Sequence, residues 1–133
     1  MFTIETLAKL VEANIINLRQ TIEGTELNTK SLSTKIYRGT ELTVAESVAI
    51  VGKLKELRSF LKKYRIKSTN DLIALRDDKR VVMSVLIERA GYPYHTVASY
   101  MSRGQAISEE SCEKYQEQLT EIVKILDKIL KNE

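Results

Sequence analysis

Apolar residues in this chain recur three and four positions apart, the spacing of one face of an α-helix. Ile4, Leu7, Leu10 and Val11 form the first such face, with Thr3 placed to cap its start and Asn14 to stop it. A second helix is predicted over Ile15–Glu23 and a third over Thr29–Tyr37. Arg38-Gly39 closes the third, since Gly readily takes the left-handed conformation that follows a helix. Thr43 and Glu46 have the T-x-x-E spacing of a capping box. Behind them a long helix is expected to about Tyr64, with apolar positions Val44, Val48, Val51, Leu54, Leu57 and Leu61.

The polar stretch Lys62–Asn70 breaks the pattern, and the plan then repeats. Ser68 and Asp71 begin a short helix to Leu75. Another spans Asp78–Ala90, with Asp77-Asp78 favouring the positive end of its dipole. Gly91-Tyr92-Pro93 makes a turn, and Pro suits the first position of the following helix, Tyr94–Met101. Arg103-Gly104 ends that helix. Ser108 caps the last one, where Cys112, Tyr115, Leu119, Ile122, Leu126 and Ile129 alternate three and four apart as a heptad seam. No segment alternates as a strand would, so the fold class is all-α.

A displacement of 65 positions superimposes the two halves without an insertion. Leu7 falls on Leu72, Ile22-Glu23 on Ile87-Glu88, Arg38-Gly39 on Arg103-Gly104, and Leu54, Leu57 and Leu61 on Leu119, Ile122 and Leu126. A period this long argues for a duplicated four-helix unit rather than a solenoid. The units are 1–65 and 66–133. The heptad seam can pack against the Leu54–Leu61 helix, so that one chain supplies both halves of a pseudo-dimer. It can instead pair with a second molecule, giving a homodimer through the long helices.

Hydrophobic residues at 43% support a buried core, and five Gly with one Pro are too few for a turn-rich β-sandwich. The net charge of +3 identifies no partner, but its distribution is uneven. Residues 1–65 hold 11 Lys/Arg against 7 Asp/Glu, whereas residues 66–133 hold 10 against 11. Leu27–Thr40 and Arg89–Ser108 lack acids altogether, as a phosphate-facing surface requires. The single cysteine, Cys112, excludes an intrachain disulfide and suits a cytoplasmic protein. Neither a signal peptide nor a membrane span is expected.

A helix-turn-helix needs a tight turn, apolar locks on its second helix, and an outward face that is short, polar and free of acids. Leu86–Gly104 has these parts: Gly91 at the turn, Val97 and Met101 with Tyr100 as locks, and Tyr94, His95, Ala98 and Ser99 outward. With Gln105–Ser108 it resembles the λ-repressor-like (XRE-type) helix-turn-helix family. Thr29–Thr43 resembles the same part in the first half, and the likeness covers about 45 residues per copy. Two departures stand out. The family usually has a small residue where the supporting helix crosses, and Ile22 and Ile87 stand there. Glu26 occupies the place of Gly91, so the first turn needs another shape, with Gly24 the nearest source of positive φ.

The resemblance implies two tandem λ-repressor-like units binding double-stranded DNA in adjacent major grooves, roughly 34 Å apart. Base-edge contacts would come from Thr29, Lys30, Ser33 and Thr34 in the first copy, and from Tyr94, His95 and Ser99 in the second. Arg38 and Arg103 would meet phosphates, as would Lys35, Tyr37 and Ser102. The implied role is transcriptional control, or an accessory DNA-binding role on a phage or other mobile element. A protein-binding regulator on the same fold is the alternative: an antitoxin, an antirepressor or an inhibitor of a nuclease defence system.

Catalysis and cofactors are not expected. His95 is the sole histidine, and no carboxylate lies close to it in sequence. Asp77-Asp78 lacks a third metal ligand at suitable spacing. No Gly-rich phosphate loop, nucleophile elbow or His-Glu metal motif is present. Cys112 lies on the apolar seam, where an inert buried thiol is expected.

Overall fold

The computed structural model describes all residues, 1–133, as eight α-helices with no strand. They are α1 (Ile4–Ala13), α2 (Leu18–Thr21), α3 (Thr29–Arg38), α4 (Val44–Lys63), α5 (Thr69–Asp78), α6 (Met83–Arg89), α7 (Tyr94–Arg103) and α8 (Glu109–Ile129). Each helix of the second half starts 65 positions after its counterpart: Ile4 and Thr69, Leu18 and Met83, Thr29 and Tyr94, Val44 and Glu109. The expected caps are in place. Thr3, Ser68 and Ser108 each accept a hydrogen bond from the backbone N–H three residues on, and Thr43 with Glu46 forms both bonds of a capping box. Asn14 and Lys79, again 65 apart, both turn left-handed to end α1 and α5.

Two predicted helices are shorter than their periodicity suggested. Ile15 and Ile16 do not join α2, which is a single turn capped by Asn17. Instead Ile16 forms an antiparallel bridge with Val81. The Asn17 N–H donates to the Arg80 carbonyl at 2.8 Å, and the Val82 N–H to the Ile15 carbonyl at 3.1 Å. These β-branched residues favour extended backbone. Pairing satisfies the Ile15 carbonyl and the Val82 N–H while Ile15, Ile16 and Val81 are buried. Each partner is the counterpart of the other under the 65-residue displacement, so the bridge is symmetric.

Likewise α6 begins at Met83 rather than Asp78, and α5 runs on through Asp77-Asp78. These acids therefore end a helix instead of starting one. Neighbouring arginines offset the unfavourable dipole: Arg76 reaches Asp77 at 3.2 Å, and Arg80 grips both carboxylate oxygens of Asp78 at 2.8 and 2.9 Å. That fork holds the Asp78 carboxyl below its usual range. The Arg80 guanidinium also lies 4.7 Å from the centre of the Phe60 ring, tying the bridge to α4.

The core is one continuous cluster spanning both halves. Its backbone is the packing of α4 against α8, the most extensive helix contact in the molecule. Ile50, Leu54, Leu57 and Leu61 of α4 and Cys112, Tyr115, Leu119, Ile122 and Leu126 of α8 are all buried. The heptad seam is thus occupied within the chain, with Ile129 only half-buried and Leu130 buried. Contacts follow opposite chain order along the two helices: Lys55 with Glu133, Arg58 and Lys62 with Asp127, Tyr64 and Ile66 with Gln116. Val44 and Val48, expected on the apolar face of α4, are instead 78% and 67% exposed. The face that meets α8 lies on the other side of the helix.

The connection before each third helix differs between the halves. Gly91 has φ +94° after α6, whereas in the first half Gly24 takes φ +88° and Glu26 does not turn left-handed. The turn residue is displaced by two positions because α2 ends early. Gly24→Ala is therefore expected to lower stability by about 1 kcal/mol, the cost of a left-handed Cβ-bearing residue, while Glu26→Gly brings no gain. Chemical denaturation of both variants checks this, and a stabilising Glu26→Gly would return the turn to Glu26.

Candidate nucleic-acid interface

Each third helix is fixed by its inward face. In α3 this is Leu32, fully buried, with Ile36 half-buried; in α7 the counterparts Val97 and Met101 are both buried. Tyr100 was expected among the locks but is exposed at 40%, because Val97 and Met101 already fill the contact. Ile22 and Ile87, at the expected crossing, are buried too. Gly39 and Gly104 end the two helices with φ of 67° and 65°.

On α3 the outward residues gather around one open cleft of about 460 Å³. Asn28, Lys30, Thr34, Lys35 and Arg38 line it, with no apolar and no acidic side chain. Lys30, Ser33, Thr34 and Arg38 are exposed, and Thr29 is half-buried. Tyr37 stands 91% exposed beside Arg38. The Thr34 hydroxyl donates to the Lys30 carbonyl at 3.1 Å, so it faces outward only as an acceptor.

Lys35 differs from its neighbours. Its ammonium meets the Glu46 carboxylate at 2.5 Å. The same carboxylate oxygen accepts from the Thr43 N–H at 2.8 Å. Lys35, and after it the Thr43 N–H, hold the Glu46 carboxyl below its ordinary value. Lys35 thus joins the end of α3 to the capping box of α4, and its charge is largely neutralised. Lys30 and Arg38 make no ion pair within the chain, and they are the free cations of this face.

On α7, His95, Ser102 and Arg103 are exposed, and Tyr94 and Ser99 half-buried. The Tyr94 and His95 rings lie 5.9 Å apart at the helix start. Pro93 occupies the cap position, one residue before the place expected for it, and supplies no side-chain hydrogen bond. The first N–H groups of α7 are therefore open, whereas Asn28 caps α3 by accepting from the Ser31 N–H. Beside α7 lies a second cleft of about 640 Å³, bordered by Tyr92, Thr96, Tyr100, Gln105 and Tyr115. Tyr92 packs against Tyr115 with tilted rings 5.4 Å apart and lies under Lys114. Burial pushes the Tyr115 hydroxyl up to about 12.

Of the first-half candidates, Lys30, Thr34, Lys35 and Arg38 line the α3 cleft while Thr29, Ser33 and Tyr37 lie outside it, and none of the second-half candidates lines the cleft beside α7. Asn28 was missed by the sequence analysis, although an Asn directly before Thr29 carries a helix-capping signal. Thr96 and Gln105 had no signal beyond their place in an acid-free window. No three His, Cys, Asp or Glu side chains come together as a metal site would need. Cys112 is buried, and desolvation pushes its thiol up. No helix is long and apolar enough to cross a membrane. Compared with protein-family models, curated proteins and solved structures, the chain matches none.

Proposed function

We propose that this chain binds double-stranded DNA in a sequence-specific manner through two tandem helix-turn-helix units arranged as a pseudo-dimer. The units are 1–65 and 66–133, with α3 and α7 as recognition helices. One observation carries the reading. Two helices of the same length, 65 positions apart, are each locked by two apolar residues, ended by a left-handed Gly, and free of acids on the outward face. Such a face suits the major groove, where side chains reach base edges while flanking cations meet phosphates. The symmetric Ile16–Val81 bridge and the α4–α8 contact support the pseudo-dimer, because both join counterpart segments.

The role is one of binding rather than catalysis, and it suits a transcriptional regulator or an accessory protein of DNA transactions. The two heads are unequal. The first, with Lys30 and Arg38 unpaired, supplies most of the salt-sensitive affinity. The second, with His95 and Arg103 exposed and Tyr94 and Ser99 half-buried, contributes hydrogen bonds and stacking beside a single phosphate contact. The target is accordingly two different half-sites rather than a perfect palindrome.

Fluorescence anisotropy with a random-sequence duplex across a salt series tests this. The logarithm of affinity should fall linearly with the logarithm of salt concentration, with a slope of about −0.9 per phosphate contact. Absence of duplex binding even at low salt would sink the proposal and favour a protein-binding regulator.

A further inference from the structure

The two halves differ sharply on the outward face of their long helices. Val44, Val48 and Gly52 follow one another at intervals of four on α4. Their counterparts on α8 are Glu109, Glu113 and Glu117, all exposed. Packing of the long helices therefore does not require apolar residues at these places. Yet Val44 and Val48 line a groove of about 630 Å³ with Phe2, Leu42 and Val51, and nothing in the chain covers it. A row of exposed β-branched residues at helical spacing is a contact face without a partner.

The charges along the groove select the occupant. Glu41 lies in the segment just before the Thr43 cap of α4, Lys55 lies on the helix seven positions after Val48, and both border the groove. Glu41 is exposed. Lys55 donates to the main-chain oxygen of Glu133 at 2.8 Å, which leaves further ammonium hydrogens free. The other charges on the rim are Glu5, which is exposed, and the Met1 amino group, which lies 3.5 Å from the Glu133 carboxylate.

A two-fold axis at Val48 sets α4 antiparallel to α4 of another molecule. Val48 then meets its own counterpart. Val44 lies over Gly52, where no atom comes within 4 Å of the place a Cβ would take. Glu41 of each copy faces Lys55 of the other. A second copy of this chain thus matches the groove in both apolar and charged positions, as an isologous contact requires.

We propose that the Val44–Val48–Gly52 face of α4 is a self-association surface for two copies of this chain, closed at each end by a Glu41–Lys55 pair. This inference does not rest on DNA binding.

Sedimentation velocity of the full chain without DNA, over roughly 10 to 500 µM, covers the range in which a small interface associates. The expected mass rises toward twice 15.2 kDa. Val48→Glu, which copies the acid at Glu113, is expected to stay monomeric with unchanged circular dichroism. Should that variant lose helix, Val48→Ser carries the same expectation. Glu41→Lys and Lys55→Glu should each weaken association about 10-fold, and the double variant E41K/K55E should restore it. A wild-type chain that remains monomeric throughout overturns the proposal. So does a folded V48E that associates like the wild type, or a double variant no stronger than the single ones.

Discussion

Lys30→Glu combined with Arg38→Glu is expected to abolish measurable binding to duplex DNA at about 0.1 M salt. These are the unpaired cations of the α3 cleft, and no acid lies beside them. A hydrogen bond to a charged group contributes about 1.5–3 kcal/mol, or roughly 10- to 100-fold in affinity for each cation lost. Reversal adds repulsion from the phosphates, so the pair together should cost well over 100-fold. The slope of log affinity against log salt should shrink by about two contacts, near 1.8. Arg103→Glu serves as the comparison on α7 and should shrink the slope by about one contact. Lys35→Ala should change binding least among the α3 cations, because its ammonium is already neutralised by Glu46. Anisotropy titrations at three salt concentrations read all three variants. A K30E/R38E chain that binds as tightly as the wild type, while R103E fails, would make α7 the sole reader.

Local signals made most of the fold legible. Thr3, Thr43, Ser68 and Ser108 mark helix starts because capping involves only a few residues along the chain. The 65-residue repeat then placed α3 and α7, whose starts coincide without a shift, but not α2 and α6, which begin later than their periodicity suggested. Partners distant in sequence left no such local signal. Ile15-Ile16 and Val81-Val82 fit a helical period, and only each other's backbone makes extended conformation favourable. The Lys35–Glu46 pair gave no local signal, because the two residues are eleven positions apart and meet across the α3–α4 loop. Val44 and Val48 looked like core because α4 carries apolar residues on more than one face. Only the position of α8 decides which face is buried. At the candidate interface, charge and the left-handed glycines were legible. The cleft beside Tyr92 was not, for it depends on packing against Tyr115 of α8.

Leu54→Ala and Leu119→Ala are each expected to destabilise the whole molecule by about 2–5 kcal/mol, the range for emptying a buried leucine site. Both residues are fully buried and are counterparts across the α4–α8 contact. Cooperative domains have only about 5–15 kcal/mol of stability, so either change should lower the melting temperature by roughly 10 °C. The stronger expectation concerns cooperativity. The core is a single cluster across both halves, and the Ile16–Val81 bridge and the α4–α8 contact join them at two places. Each variant should therefore melt in one transition by circular dichroism, with the double variant departing from additivity because the two sites share one contact. Two separate transitions, with Leu54→Ala moving only the first, would mean that residues 1–65 and 66–133 fold independently. A single transition carries a consequence for binding. The contact that stabilises the chain also sets the separation of α3 and α7, so loosening it should weaken binding to a two-half-site duplex more than to a single half-site.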